Sequence, residues 1–122
     1  MLMIRQLIGW KKLKVILDCD VPLVAPSVNT YWGFSGSRRY LTPVARRFTK
    51  DLANWIKPLM SDKRLRLDVV FHYPDKRVRD LDNNTKPLID SLVKNGLCVD
   101  DGQFDEIHLY RGEVTKGGLI KI

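Results

Sequence analysis

From Leu65 to Tyr73 the chain alternates strictly: Leu65, Leu67, Val69, Phe71 and Tyr73 take turns with Arg64, Arg66, Asp68 and His72. That period of two is the pattern of a strand buried on one face. Pro74 closes it, and the loop from Asp75 to Arg79 carries Lys76, Arg77 and Arg79. This strand therefore delivers a basic loop directly to Asp80-Leu81-Asp82-Asn83-Asn84-Thr85-Lys86. Two aspartates separated by one residue face the same side of an extended segment. Close carboxylates repel unless a proton, a cation or water screens them. Lys86 follows Asp82 by four residues, about one turn above that carboxylate if a helix starts here.

The remaining segments build around this core. Residues 1–12 form an N-terminal extension for which helix, strand and fraying are all open, and 13–122 make the domain proper. Leu13, Val15, Leu17, Cys19 and Val21 alternate with Lys12, Lys14, Asp18 and Asp20, which predicts a half-buried strand. Pro22 to Gly36 reads as a loop with Tyr31, Trp32 and Phe34 interleaved. Next to Arg38, Arg39 and Tyr40, those aromatics suit stacking on bases or packing onto their own domain. Thr42-Pro43 is a helix start, and Val44, Phe48, Leu52, Trp55, Ile56 and Leu59 give a helix of about four turns. Its polar face carries Arg46, Arg47, Lys50 and Lys57, suited to phosphates or simply to solvent. A second helix holds Leu88, Ile89, Leu92 and Val93 on one face and stops at Asn95-Gly96. Pro87 sits deep for its first turn, so a start nearer Asn84 or a local distortion is expected. Ile107 to Thr115 reads as a strand, Lys116-Gly117-Gly118 as a hairpin turn, and Leu119 to Ile122 as its return. The fold class is α+β: a single domain with a mixed β-sheet and two helices, in the order β-α-β-α-β-β.

Composition narrows the function. With 122 residues, 44% hydrophobic and 29% charged, the chain has the make-up of one globular domain. Lys plus Arg number 21 against 14 Asp plus Glu, a net charge of +7. That excess favours a polyanionic partner, with nucleic acid ahead of membrane because no long basic amphipathic helix is present. Cys19 and Cys98 lack any C-x-x-C spacing and read as reduced core thiols of a cytoplasmic protein. The apolar opening from Met1 to Trp10 is interrupted by Arg5 and Gln6 and is too short to cross a bilayer.

Carboxylates in a basic surround suit a hard, oxygen-seeking metal and a phosphodiester substrate. Magnesium needs only a few protein carboxylates because it keeps several waters. Asp80, Asp82 and Asp101 are the candidate ligands, and Lys86 the candidate contact to the scissile phosphate. Zinc is disfavoured, since His72 and His108 have no Cys or His at ligand spacing. An EF-hand register through Asp80, Asp82 and Asn84 fails, because Thr85 and Ser91 stand where Gly and Glu are required. Taken singly, each residue also fits a structural role. Asp82 suits a helix N-cap, Lys86 a partner for Asp90 at i,i+4, and Asp100-Asp101-Gly102 a turn.

The chain as a whole resembles the RusA family of Holliday junction resolvases, small Mg²⁺-dependent endonucleases of bacteria and prophages. The matching residues are Ala25-Pro26-Ser27-Val28-Asn29 with Tyr31, Arg79-Asp80-Leu81-Asp82-Asn83 with Lys86, and Asp90-Ser91-Leu92. Asn95-Gly96, Asp100-Asp101 and Val114-Thr115-Lys116-Gly117-Gly118 complete the set. The resemblance implies a homodimer that recognises four-way junction DNA by shape and makes paired symmetric nicks in recombination and repair. It implies that Asp80, Asp82 and Asp101 hold Mg²⁺ and that Lys86 is catalytic, with Asp100 a neighbour and not a ligand. The DNA contacts expected are Asn29, Arg38, Arg39, Arg46, Arg47, Lys76, Arg77, Arg79 and Lys116. No small-molecule cofactor and no membrane partner are expected. The alternative from another class is a protein that binds branched DNA without cutting it. Asn84 departs from the family pattern, standing where an apolar residue is expected.

Overall fold

A computed structural model of the chain describes residues 4–8 and 12–122. Strand β6 (Leu65–His72) is its axis, as the alternation requires. β7 (Phe104–Arg111) runs parallel along one edge of β6. The opposite edge is shared end to end by two antiparallel strands, β1 (Ile4–Ile8) and β8 (Leu119–Lys121). Ile4 opposes Leu67 and Lys121 opposes Val70, so the two ends of the described chain meet beside the middle of β6. β2 (Lys12–Leu17) and β3 (Asp20–Val21) flank that composite strand in turn. Helix α2 (Pro43–Leu52) and helix α3 (Asp82–Lys94) supply apolar faces to the core, where Phe48, Leu52, Leu88 and Leu92 join Leu65, Leu67, Val69, Ile120 and Ile122.

Mixed-sheet α+β architecture is thus what the patterning implies, with four local differences. The predicted strand from Leu13 to Val21 breaks at Asp18–Cys19, and Val15 is 46% exposed although Leu17 and Val21 are buried. The break lets one line of chain serve two neighbours, β1 and then β8. The loop from Pro22 holds a one-turn helix, α1 (Val28–Tyr31), and then a two-stranded ribbon of β4 (Trp32–Ser35) and β5 (Arg38–Leu41). Helix α2 stops at Leu52, short of Leu59. Past it, Trp55 N–H reaches back only three residues to the Leu52 carbonyl, and the Asn54 side chain takes the Asp51 carbonyl. Its start is as expected: Thr42 Oγ1 accepts from Ala45 N–H at 3.2 Å, with Pro43 in the first turn.

The last difference is the largest. β7 and β8 do not form a hairpin; they lie on opposite edges of β6. Gly112 N–H donates to the Phe71 carbonyl (3.0 Å) and Thr115 N–H to the Tyr73 carbonyl (2.9 Å), so the connection wraps past the end of β6. Gly118 has φ +80°, and a Cβ there would approach Val24 Cγ2 to 2.4 Å, so the turn needs glycine for both conformation and space. The thirteen-residue α3 is the crossover that makes β6 and β7 parallel.

Candidate active site

α3 begins at Asp82, with Leu81 as its N-cap and no side-chain cap. The capping role open to Asp82 is therefore not the one it takes; its carboxylate lies in the first turn, where negative charge is favoured. Nor does the helix start nearer Asn84 because of Pro87. Pro87 is buried within α3, and lacking an N–H it gives up the helical bond to Asn83.

Lys86 does not pair with Asp90. Asp90 accepts a 2.5 Å hydrogen bond from Tyr31 Oη and lies 3.6 Å from Lys94 Nζ. Lys86 Nζ stands instead 3.8 Å from Asp101 Oδ2, a charge contact too long for a hydrogen bond. Asp82, Thr85, Lys86, Ile89, Asp101 and Ile107 line one cavity of about 340 Å³. Residues twenty positions apart thus share a site because the crossover helix returns the chain.

The neighbouring Asp100 is committed elsewhere. Its side chain accepts from Gly102 N–H at 2.9 Å and caps the short 3-10 turn Asp101–Gln103. Buried Gln103 completes that cap, accepting from Val99 and Asp100 N–H and donating to the carbonyls of Ser61 and Lys63. The turn is real, and it fixes Asp101 with its carboxylate toward Lys86.

Asp80 does not line this cavity, and among the described residues no three His, Cys, Asp or Glu side chains converge as a ready metal cage. Asp80 and Asp82 are nevertheless both felt by Tyr73. Burial raises the Tyr73 phenol pKa, Arg111 and Arg79 lower it, and the Asp80 and Asp82 carboxylates raise it again. The donors present are of the kind that would suit Mg²⁺, since Asp82 and Asp101 are exposed carboxylates on one cavity and this ion keeps several of its waters.

Asn84, the departure from the family pattern, has a structural task that the sequence does not reveal. It is buried, its Oδ1 accepts from Tyr73 Oη (2.8 Å) and its Nδ2 donates to the Ala25 carbonyl (2.9 Å). One amide thereby ties the first turn of α3 to the end of β6 and to the Pro-Ser-Asn loop. Asn84→Ala is expected to lower stability by about 1–3 kcal/mol by orphaning buried polar partners, measured by urea unfolding; an unchanged midpoint would refute that role.

The expected DNA contacts fall into two groups. Arg38, Lys76, Arg77 and Lys116 are exposed and without an ion pair among the described residues. Asn29, Arg77 and Arg79 line a second cavity, of about 380 Å³, between the Pro-Ser-Asn loop and the basic loop. Arg47 lines a shallow groove along α2 with Phe48 and Asp51. Others are engaged within the fold. Arg46 Nε donates to the Leu41 carbonyl at 3.1 Å, Arg39 lies 4.6 Å over the Trp32 ring, and Arg79 is held by Asp75 at 2.6 Å. Arg111, which no sequence signal marks, donates to the Arg79 carbonyl and sits 5.2 Å over the Tyr73 ring.

The Arg79 clamp sets a titration. Hydrogen bonds from the Arg79 side chain, then from Arg77 N–H, pull the Asp75 pKa from 3.8 to about 2. A depressed carboxylate stabilises the loop above its ordinary pKa, and that support is lost as pH falls from about 4 towards 2. Carbon-detected NMR should give an Asp75 midpoint near 2, returning toward 3.8 in Arg79→Ala; equal midpoints would dismiss the clamp.

This site on a mixed sheet, with Asp82, Lys86 and Asp101 around one cavity in a basic chain, has the make-up of an enzyme that acts on nucleic acid. The chain belongs to the RusA endodeoxyribonuclease family, whose model matches residues 22–122. It is 43% identical over 101 residues to the crossover junction endodeoxyribonuclease rusA of Enterobacteria phage HK97, covering 80% of this chain and 84% of that one. It is 34% identical over the same length, with the same coverage, to the crossover junction endodeoxyribonucleases RusA of Escherichia coli strain K12 and Enterobacteria phage 82.

Proposed function

We propose that this chain is a Mg²⁺-dependent endodeoxyribonuclease that resolves four-way DNA junctions. It works in the cytoplasm as a homodimer making paired symmetric nicks, in recombination and repair. The observation that carries the reading is Lys86 Nζ facing Asp101 across the cavity that Asp82 also lines. The family names support the substrate. The two-fold symmetry of a four-way junction supports a dimer, because paired cuts need two equivalent sites.

Asp82 and Asp101, with Asp80, would hold the metal. Bound there, Mg²⁺ would supply Lewis acidity, polarising a phosphoryl oxygen and making a bound water more acidic. The protein's own residues do the rest. Lys86 donates to a non-bridging oxygen of the scissile phosphate, where negative charge grows in the transition state. Ile89 and Ile107 form the apolar wall of the cavity. Arg77, Lys76 and Arg38 hold flanking phosphates, a contribution that weakens with salt.

A labelled synthetic four-way junction tests this. Paired cuts with Mg²⁺ and none with EDTA are expected. Binding without cutting in Mg²⁺ would favour the non-cleaving alternative, and equal cleavage of linear duplex would remove junction selectivity.

Among the described residues no helix is long and apolar enough to cross a membrane. Cys19 is half-buried and Cys98 buried, both unbridged, and burial first of all pushes the Cys19 thiol up to about 11. Neither is poised for redox chemistry.

A further inference from the structure

The β4–β5 ribbon has no part in the site described above. It pairs only with itself, and its tip turns at Gly36, which has φ +64°. Register places Trp32 opposite Leu41 and Phe34 opposite Arg39 on one face, and Gly33 opposite Tyr40 and Ser35 opposite Arg38 on the other. The other aromatics here have partners within the fold. Tyr31 is buried and meets Trp32 edge-on at 4.6 Å, and the Arg39 guanidinium covers Trp32. The Tyr40 ring lies on Gly33, where a Cβ would come within 2.5 Å of it. Phe34 is the exception, at 71% exposed. Leaving a phenylalanine in water forgoes about 1.5–3 kcal/mol of burial. It does so on a basic ribbon: Arg39 stands opposite it in register, and exposed Arg38 follows on the other face.

We propose that Phe34 is a base-stacking residue that docks on an unstacked base at the branch point of the junction, with the exposed Arg38 of the same ribbon on a neighbouring phosphate. This deepens the junction-nuclease reading and rests on it. An aromatic face flanked by cations is the platform on which bases stack without sequence preference. Bases inside a duplex arm already cover each other's faces; at a branch point they can be exposed, so such a residue discriminates branched from linear DNA. Charge also selects the occupant. A second copy would bring like-charged ribbons together, whereas phosphates neutralise them. The ribbon is anchored in register with the chemistry: Tyr31 Oη, one residue before it, bonds Asp90 at 2.5 Å and Ser91 at 3.0 Å on α3. Asp90 lies about 12 Å along that helix from Asp82, at ~1.5 Å per residue.

The test uses Asp82→Asn as a non-cleaving background and compares a four-way junction with linear duplex. Adding Phe34→Ala should weaken junction binding about five- to 150-fold while duplex affinity changes less than twofold. Phe34→Trp should retain junction affinity, and melting temperatures should agree because Phe34 is largely exposed. A 2-aminopurine at the branch point should brighten on binding and brighten less with Phe34→Ala. Equal junction affinity with and without Phe34 would overturn the proposal, as would equal loss on duplex. A shift of sedimentation to a smaller species in Phe34→Ala would assign the ribbon to a second copy and overturn it too. If the background protein showed no preference for junction over duplex, the junction reading itself would fail and take this inference with it.

Discussion

Asp82→Asn should lower junction cleavage by at least about a thousandfold while leaving junction binding intact. The substitution keeps shape and removes the charge that a dication needs, and losing several kcal/mol of metal-borne stabilisation corresponds to that factor. Binding survives because the cations of the loop and ribbon are untouched, and removing one negative charge lowers repulsion toward phosphate. Asp101→Asn should behave alike, since Asp101 lines the same cavity. Asp100→Asn is the control. Asparagine caps helices as well as aspartate, so the Asp100 bond to Gly102 N–H is replaced in kind and cleavage should stay within a few-fold. Single-turnover cleavage and gel-shift affinity decide the matter together. Full activity in Asp82→Asn would remove the site, and full activity in Asp101→Asn with loss in Asp100→Asn would exchange the assignments of the two neighbours.

Lys86→Met should lower the cleavage rate about a hundred- to a thousandfold, the usual loss when one donor to developing charge is removed. It should also move the metal the other way. An ammonium 3.8 Å from Asp101 competes with a dication for the same carboxylate. The pair is largely exposed, with Lys86 62% and Asp101 55% accessible, so the attraction is of order 1 kcal/mol and its removal should tighten metal binding about fivefold. A fall in rate with a tighter Mg²⁺ midpoint separates a catalytic lysine from one that only orders the site, for which rate and midpoint would worsen together. An unchanged rate would return Lys86 to the solvated face of α3.

Of the residues expected together, Asp82, Lys86 and Asp101 line one cavity and Asp80 does not. The spacing of Asp80, Asp82 and Lys86, the apolar face of α3 and the Asn95-Gly96 stop all concern neighbours within a few positions, where local geometry decides. Asp101 was the choice from the residues themselves, and the family resemblance set its neighbour Asp100 aside. Three residues were out of reach. Asn84, Tyr31 and Arg111 act on groups remote in sequence, at the Ala25 carbonyl, Asp90 and the Arg79 carbonyl. Asn84 did carry a signal, since a polar residue at a position expected to be apolar invites the question of its partner.

The alternation of β6 and the apolar face of α3 were readable from short segments alone, because period and capping are local properties. Long-range packing settles which edge of β6 each strand takes, and therefore that β8 lies on the same edge as β1 instead of pairing with β7. Strand partners are chosen by long-range packing around Gly112–Gly118, and a turn motif cannot distinguish a hairpin from a wrap past a strand end. The same holds for Phe34 and its neighbours: composition marks the stretch as aromatic and basic, but only packing shows which ring is buried and which is left to a partner.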